Sequence, residues 1–510
     1  MLPSDSQYNV EHYWTAGVSG LSEQLSKTTS ADFSAGSVLA IPVAEWDQMK
    51  PLPILTAVPL HGVRDRNGLD ELAEAVGAFI EVGAREAKTR AARHRRPKAL
   101  LAMPALGTGE GGGKGIRGEV LEVLLDSARA AAMRNDVDVV LVLKDPRIFA
   151  LAQQQRTHDE WTNLSPDLVA KAQELAVFAR DGKLVPFMGA GVSISAGGPT
   201  WETLIRHLAE GVEMSTEETK SLTRPNRSAL DQAAYLRERY TEKARSIGDD
   251  SASTFFGKAI AAAVSSERYG LAPALLASLR TEQAITLNYD DLFERAAADF
   301  DDARTVIPGA VGATRSTKWL LKLHGSISEP ASIVLTRDDY LGFNATREAL
   351  SAIVKANLIT HHLLFVGFGL ADDHFHQIIH DVRQSLPNDS NGPGYATAIT
   401  LIADPLDSTL WKGQLDLLPM ESPPLSDPPL TETARVIKAG RQLEIFLDAL
   451  VVFATDSHSY LLDDDFATAL SPAETSLRSK LLVLQTGATD EERNTAGWRA
   501  VSRMFDDLGS

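Results

Sequence analysis

Short apolar runs alternate with longer stretches of helical periodicity through the first part of the chain. Apolar runs occur at SVLAIPVA (37–44), ILTAVPL (54–60), KALLAMPAL (98–106) and VDVVLVLKD (137–145). Helical patterns lie between them at residues 68–94 and 120–135. Strands that alternate with helices are typical of a mostly parallel sheet covered on both faces. The pattern therefore predicts an α/β domain over residues 1–160.

The same alternation returns over residues 170–455, after a polar stretch that contains a proline, QQQRTHDEWTNLSPD. Helical patterns occupy residues 167–182, 200–212 and 435–454. Apolar runs predict strands at LVPFM (184–188), QAITLNYD (283–290), WLLKLHGS (319–326), ASIVLTR (331–337) and HHLLFVGFG (361–369). This alternation predicts a second α/β domain.

The residues after 456 have a weaker pattern. They contain an acidic cluster, Asp463 to Asp465, and short helical signals. We interpret residues 456–510 as a C-terminal helical extension.

Composition narrows the classes of function. The 510 residues include no cysteine, which excludes disulfides and thiolate zinc sites and fits a reducing compartment. The first residues lack a secretory signal, and no apolar run is long enough to cross a bilayer, so we expect a soluble cytoplasmic protein without membrane contact. The net charge of −18 argues against non-specific nucleic-acid binding, so an anionic ligand must be held by local groups.

A glycine-rich turn follows the run LVPFM directly. It contains Gly189, Ala190, Gly191 and Ser193, and a helical pattern begins near Thr200. Glycine lets the backbone approach phosphate oxygens closely, and the N–H groups at a helix start attract negative charge. Alone, this turn is compatible with a nucleotide site or with a tight structural turn.

Three further strand ends carry polar residues or glycines. These are Asn288 and Asp290; His324 and Gly325; and Gly367, Gly369 and Asp372. The carboxyl ends of parallel strands meet at one edge of a sheet, where ligands bind. Each group has a simpler alternative: Asn288 could cap a helix, and His324-Gly325 could form a turn. The acids and histidines at 372, 373, 374 and 376 could suggest a metal site, but acids at an exposed helix start explain them and we expect no metal there.

The motifs GAGVS, TLNYD, KLHG and VGFG, in this order, resemble the NAD-binding core of sirtuins over residues 175–400. They are most similar to a bacterial branch that hydrolyses NAD in anti-phage defence. The resemblance implies a Rossmann-type parallel sheet. The chain departs from sirtuin deacylases in three places: Gly-Pro-Thr-Trp follows the first motif, Tyr289 replaces isoleucine, and the four-cysteine zinc ribbon is absent. These departures argue against deacylation, and no zinc is expected.

The resemblance also implies roles for the site residues. Asn288 orients a water or the nicotinamide ribose, and His324 binds ribose hydroxyls or accepts a proton. The remaining residues contact the substrate or fix its loops: Gly189, Ala190, Gly191 and Ser193 at the diphosphate, Gly367 and Gly369 at the adenosine half, and Asp290, Gly325 and Asp372 near the ribose. The expected reaction converts NAD and water to nicotinamide and ADP-ribose. A protein deacylase and a non-catalytic sensor of NAD or ADP-ribose remain as alternatives.

A second glycine-rich loop, PALGTGEGGGKGIRG (104–118), lies in the first domain. It resembles the phosphate loop of macro domains, which bind ADP-ribose. The resemblance implies a nucleotide-sensing domain with Gly107, Gly109 and Gly112 around a diphosphate. A glycine-rich loop at a subunit contact is the simpler alternative. Relatives of this kind further imply a homo-oligomer, a partner ATPase or a phage-derived activator, and abortive infection by NAD depletion.

Overall fold

A computed structural model gives the fold of the protein. It describes residues 1–5, 7–10, 18–48, 50–59, 62–90, 96–108, 113, 115–157, 161–249, 252–309, 318–370, 372–385, 396–421 and 431–509. The chain divides into two compact units, one of Met1–Glu160 with Thr455–Ser510 and one of Trp161–Ala454. The C-terminal segment thus groups with the first unit, a placement that the sequence pattern did not indicate.

The first unit is a mixed α/β structure. Its strands are β1 (Leu2–Ser4), β2 (Ala40–Pro42), β3 (Ile54–Ala57), β4 (Leu100–Pro104) and β5 (Asp138–Val142). Its first helices are α1 (Leu21–Leu25), α2 (Ala31–Ser34), α3 (Arg66–Thr89), α4 (Arg117–Asn135) and α5 (Pro146–Arg156). One sheet has the order β1-β3-β2, and β4 pairs with β5 separately. The β1–β3 and β4–β5 pairs are parallel as expected, whereas β2 runs antiparallel to β3.

Helix α3 shows why this part of the chain folds as predicted. Asp65 caps its N-terminus by accepting a hydrogen bond from the backbone N–H of Gly68. Leu72, Val76 and Phe79 recur at helical spacing and are all buried. This apolar stripe packs with α4 and the strands in one hydrophobic core, which is the usual source of stability for an amphipathic helix.

The second unit is built on a seven-stranded sheet. Its strands are β6 (Leu184–Met188), β7 (Gln283–Thr286), β8 (Thr305–Ile307), β9 (Trp319–Lys322), β10 (His362–Val366), β11 (Ala396–Thr400) and β12 (Leu415–Pro419). Their order is β12-β11-β10-β6-β7-β9-β8, and every neighbouring pair is parallel. The expected Rossmann-type parallel sheet is therefore confirmed.

Helices cover both faces of this sheet. They are α6 (Pro166–Arg180), α7 (Trp201–Gly211), α8 (Thr216–Leu222), α9 (Ala229–Ser246), α10 (Ala252–Val264), α11 (Leu271–Ser278), α12 (Leu292–Asp299), α13 (Arg337–Thr360), α14 (Asp373–Ser385), α15 (Pro405–Leu410) and α16 (Glu432–Ala454). Leu184 and Met188 join the core beneath α6, α11, α12 and α16. Val185 and Phe187 join the opposite core, beneath α13 and α14. This alternation follows from the two-residue period of a strand.

The segment ASIVLTR, expected as a strand, is not one. A short 3₁₀ turn covers Pro330–Ser332, and no strand follows before α13. Ile333 and Leu335 pack with helices α7, α9 and α10, whereas Val334 packs with the sheet core. The apolar side chains of this segment do alternate, as in a strand. They pack alternately into two different cores, and the extended segment between those cores pairs with no strand of the described structure.

The C-terminal residues are helical, as the sequence indicated. A 3₁₀ turn covers Asp464–Ala469, and the helices are α17 (Pro472–Gly487), α18 (Asp490–Arg493) and α19 (Ala496–Asp507). Within the described part of the chain, none of the helices is both long enough and apolar enough to span a bilayer.

Candidate active site

Sheet register brings the four motifs of the second unit to one edge. Strands β10, β6, β7 and β9 are consecutive neighbours in the sheet. Met188 pairs with Val366 on one side and with Thr286 on the other, and Thr286 pairs with Lys322. Asn288 and His324 therefore follow adjacent strands at equivalent positions. The crevice at the carboxyl ends of such strands is where open α/β sheets bind ligands.

The first glycine motif packs against the last one. A Cβ atom on Gly189 would lie 2.5 Å from the carbonyl oxygen of Gly367, and one on Gly191 would lie 2.7 Å from the Gly367 Cα. The N–H groups of Gly189 and Gly191 donate to the carbonyls of Val366 and Gly367, at 3.0 and 2.9 Å. Close contact between the two loops thus explains both glycines, and neither of these N–H groups is directed at a ligand.

Two positions in these loops have open space beside them. Ala190, between the two glycines, is exposed. A Cβ atom on Gly369 would meet no atom of the described structure within 4 Å. Among the predicted diphosphate and adenosine contacts, these are the ones with free space beside them.

Asn288 has a defined side-chain orientation. Its Nδ2 donates to the Gly189 carbonyl at 3.0 Å and to Ser193 Oγ at 3.0 Å. A carbonyl oxygen can only accept, so the amide nitrogen must be the atom that faces Gly189. Within the described residues no hydrogen bond engages Oδ1. The side chain therefore offers one anchored, unused acceptor.

Ser193 and Asp290 hold this amide in place. The Ser193 hydroxyl accepts from Asn288 and donates to Asp290 Oδ2 at 2.7 Å. Asp290 Oδ1 accepts from the backbone N–H of Leu292 at 3.2 Å, at the start of α12. Burial raises the pKa of Asp290, and the Ser193 hydrogen bond opposes that shift. The single hydroxyl hydrogen of Ser193, expected at a diphosphate, is thus given to Asp290.

A buried lysine binds the backbone of the same loop. Lys322 is 1% exposed, and its Nζ donates to Glu294 Oε1 at 2.6 Å and to the carbonyls of Tyr289 and Asp290. Burial raises the pKa of Glu294, and the Lys322 charge counteracts that rise. No role for Lys322 was predicted from the sequence. A lysine within the apolar run WLLKL is nevertheless a signal, since buried charges require partners.

The His324 imidazole is buried among aromatic rings. It is 5% exposed and meets the rings of Tyr340, Phe343 and His374 edge-on, with centroids 5.5, 6.0 and 5.7 Å away. Its Nε2 lies 3.5 Å from His374 Nδ1 and 4.0 Å from Asp372 Oδ2. Burial lowers the pKa of His324 to about 4, with partial opposition from the Asp372 charge. The imidazole is therefore neutral at neutral pH.

The backbone around His324 is held on both sides. Gly325 has a φ of +94°, and a Cβ there would lie 2.2 Å from the Ser332 carbonyl oxygen. Arg347 donates to the carbonyls of Leu323 and Ser332. Arg347 interrupts α13 with non-helical φ and ψ angles of −134° and 18°. The kink in this helix thus coincides with the arginine that supports the histidine turn.

Asp372 links His324 to helices α13 and α14. Its Oδ1 accepts from the Phe375 N–H at 3.0 Å, and its Oδ2 accepts from the Tyr340 hydroxyl at 2.7 Å. Donor atoms of His324, Asp372 and His374 lie within 4.8 Å of one another, a spacing that a metal ion could bridge. Of the cluster considered from sequence, Asp373 and His376 are exposed and stay outside this group.

The glycine loop of the first unit is described only in part. Gly107 has a φ of +77°, and its carbonyl accepts from the Gly113 N–H at 3.0 Å. Arg117 Nε donates to the Thr108 carbonyl at 2.9 Å. Gly109 and Gly112 lie outside the described residues. A diphosphate contact at this loop stays a prediction.

Comparison with known proteins matches residues 282–409 to the SIR2-like domain. This stretch contains Asn288, His324 and the Gly367 loop, and it begins after the Gly189 turn. The chain is 28% identical over 229 residues to Defense-associated sirtuin 2 of Bacillus subtilis. The aligned region covers 43% of this chain and 21% of that protein.

Two further relatives carry the name NAD(+) hydrolase ThsA. The protein of Enterococcus faecium is 28% identical over 207 residues, and that of Bacillus cereus (strain MSX-D12) is 26% identical over 207 residues. In each case the match covers 40% of this chain and 40% of the relative. The chain thus spans less than half the length of the curated relatives that it matches.

Proposed function

Since this chain carries a SIR2-like domain in its second unit, we propose that it hydrolyses NAD to nicotinamide and ADP-ribose. One observation carries the proposal: an anchored amide acceptor at Asn288 and a neutral imidazole at His324 follow adjacent parallel strands beside a glycine turn. The names of the ThsA relatives support the same reaction.

The reaction needs positioning more than strong acid or base catalysis. Water forms a bond to C1′ of the nicotinamide ribose as the bond to the pyridinium nitrogen breaks. The bonding electron pair leaves with nicotinamide, which becomes neutral, so the leaving group needs no proton. The transition state has oxocarbenium character, as in other glycosyl transfers. Holding the ribose and a water in line supplies much of the rate.

In this mechanism Asn288 aims the water. Its free Oδ1 accepts a hydrogen bond from the attacking water, while Nδ2 stays bound to Gly189 and Ser193. His324 binds a ribose hydroxyl or takes up the proton that the water loses, which a neutral imidazole can do. Asp290 acts through Ser193 by keeping the amide in this orientation.

The diphosphate would lie along the turn at Gly189–Gly191, and the adenosine half along Gly367–Gly369. The exposed position of Ala190 and the open space beside Gly369 support this direction. Gly325 and Asp372 would shape the ribose end. The proposed reaction has no step that requires zinc or another metal ion.

The test is product analysis by mass spectrometry after incubation of the full chain with NAD. We expect nicotinamide and ADP-ribose in equal amounts, and loss of both with Asn288→Ala or His324→Ala. His376→Ala is the matched control, because His376 is exposed and lies outside the group formed by His324, Asp372 and His374. Intact NAD after tight binding by calorimetry would favour a sensor. NAD consumption that requires an acyl-lysine peptide would favour a deacylase.

We further propose that the protein is an effector of bacterial anti-phage defence that acts in the cytoplasm by depleting NAD. The defence-associated name of one relative supports this role. Such an enzyme needs restraint, so the proposal includes a homo-oligomer and an activating ligand, partner ATPase or phage component. The first unit, as a macro-like nucleotide sensor, would provide control. Bulky substitutions at Gly109 and Gly112 should then change activation, and unchanged activation would remove this idea.

A further inference from the structure

His374 occupies a rigid site beside His324 that the proposed mechanism does not use. Its ring stacks between two residues of α13, with centroid distances of 4.1 Å to Tyr340 and 3.8 Å to Phe343. The side chain is 8% exposed. An imidazole held on both faces cannot rotate freely, so its two nitrogens have fixed directions.

The partners of His374 define which nitrogen carries the proton. Nε2 lies 3.2 Å from the backbone carbonyl of Tyr340. A carbonyl only accepts, so Nε2 must be the protonated nitrogen. Burial lowers the pKa of His374, which keeps the ring neutral. The unprotonated Nδ1 therefore faces His324 Nε2, at 3.5 Å.

The neighbours of His324 likewise indicate which of its nitrogens carries the proton. Its Nε2 faces two acceptors, the Nδ1 lone pair of His374 at 3.5 Å and the Asp372 carboxylate at 4.0 Å. A proton on His324 Nε2 can be donated to His374 Nδ1 and faces the negative charge of Asp372, whereas a lone pair on Nε2 would face another lone pair and a carboxylate. Within the described residues no hydrogen bond engages the opposite nitrogen, Nδ1.

We propose that His374 is a positioning residue that holds His324 in the Nε2–H tautomer, so that Nδ1 is the nitrogen presented to the substrate. The inference rests on the proposed hydrolase function. It specifies which nitrogen of His324 faces the substrate and takes up the proton. Asp372 completes the arrangement, because its negative charge stabilises the imidazolium that forms when Nδ1 takes up a proton. Tyr340 holds Asp372 through its hydroxyl and His374 through its carbonyl.

Two substitutions at 374 separate this role from packing. His374→Phe keeps an aromatic ring between Tyr340 and Phe343 but removes the acceptor nitrogen. His374→Asn loses the stack but can return an acceptor near the Nδ1 position. The charged and titratable groups near His374 include Asp372, Asp373, His324, Tyr340 and Arg347. Glu348, Lys355 and Asp381 line the same pocket as His374. Both variants leave these groups unchanged.

The direct measurement is long-range ¹H–¹⁵N correlation of protein labelled with ¹⁵N-histidine, with the His324 signals assigned by their absence in His324→Gln. We expect a protonated Nε2 and an unprotonated Nδ1 on His324 in the wild type. In His374→Phe we expect a mixture of tautomers and a kcat lower by roughly 10-fold at unchanged KM, a part of the ~10²–10⁴-fold that a general base contributes. His374→Asn should recover part of that loss.

A protonated Nδ1 on His324 in the wild type would overturn the proposal. So would a His374→Phe enzyme whose kcat and tautomer match the wild type. The tautomer is read without substrate, so failure of the hydrolase proposal is distinguishable: a wild type that shows the expected tautomer but releases no nicotinamide would support the assignment at 374 and contradict hydrolysis.

Discussion

Asn288 and His324 each present one unused atom because their other polar atoms are bound. Gly189 and Ser193 hold the amide nitrogen of Asn288, and His374 and Asp372 face Nε2 of His324. Buried polar contacts of this kind hold side chains in one orientation. The chemistry of the site thus depends on supporting residues as much as on the two that we propose to act.

The pH dependence of the reaction follows from the low pKa of His324. Burial lowers this pKa to about 4, so the imidazole is unprotonated above about pH 5 and protonated below pH 4. Initial rates at low NAD concentration should give a kcat/KM that is flat from pH 5 to 8 and falls as the pH approaches 4. Asp372→Asn removes the charge that raises this pKa and should shift the acidic limb to lower pH. An acidic limb centred near 6.5 would contradict the burial of His324.

At the level of residues, the sequence points to Asn288, His324 and the glycines because they end apolar runs. The partner of the Ser193 hydroxyl could not be predicted, because Asp290 is 97 residues away and the two meet only in the folded sheet. His374 was considered only as a metal ligand. Its stacking between Tyr340 and Phe343 depends on the packing of two helices, which no local pattern shows.

At the scale of elements, strand β9 and helix α12 are joined by an ion pair between a buried lysine and a largely buried glutamate. Lys322 lies on the strand and Glu294 on the helix, with 2.6 Å between their charged atoms. Removing one member of a buried pair leaves the other charge without compensation, which typically costs about 3–5 kcal/mol. Lys322 also binds the carbonyls of the Asn288 loop, so the pair connects stability to the site.

Lys322→Met should therefore lower the free energy of unfolding by about 3–5 kcal/mol. Chemical denaturation followed by circular dichroism measures this change. Lys322→Met with Glu294→Leu should recover part of the loss, because the Glu294 carboxylate is no longer left without its cation, whereas the carbonyls of Tyr289 and Asp290 still lack their donor. The control is Lys355→Met, which breaks a partly exposed pair with Asp381 and should cost less than about 1 kcal/mol. Equal losses of unfolding free energy in Lys322→Met and Lys355→Met would refute the larger stabilising role that we assign to Lys322.

The sequence pattern identified most central elements of the second unit and erred at its margins. Strands β6, β7, β9 and β10 follow apolar runs because buried parallel strands need apolar residues on both faces. Strands β8, β11 and β12 were not identified. They lie toward the two sides of the sheet, and β8 has only three residues. The run ASIVLTR was wrongly taken as a strand, because alternation alone does not distinguish a strand from an extended segment between two cores.

At the scale of the whole molecule, the chain forms two units, Met1–Glu160 with Thr455–Ser510 and Trp161–Ala454. The grouping of the C-terminal helices with the first unit could not be predicted, because it depends on contacts between residues hundreds of positions apart. In that unit Ala469, for example, packs against Gly118, where a Cβ would lie 2.1 Å away.

Acid should destabilise the second unit through its buried histidines. Burial lowers the pKa values of His324 and His362 to about 4, from 6.5. Between these values the unfolded chain binds protons that the folded chain does not, so the free energy of unfolding falls as the pH drops from 6.5 to 4. Each histidine contributes about 1.4 kcal/mol per unit of pKa difference.

Denaturation at pH 7 and pH 5 measures this loss of stability. His362→Gln keeps a hydrogen-bonding group beside Thr397, the partner of His362 at 2.9 Å, but cannot titrate. It should lose less stability between the two pH values than the wild type. The same acid sensitivity in both proteins would show that His362 is not the buried neutral group described above.

The measurement that tests the central claim most directly is incubation of the full chain with NAD in H₂¹⁸O, with mass spectrometry of the products. If Asn288 aims a water at C1′, nicotinamide and ADP-ribose appear in equal amounts, and ADP-ribose carries one ¹⁸O at that carbon. Asn288→Asp, which cannot donate to the Gly189 carbonyl, should abolish both products. Unlabelled or cyclic product, or undiminished hydrolysis by the Asn288→Asp variant, would contradict the account.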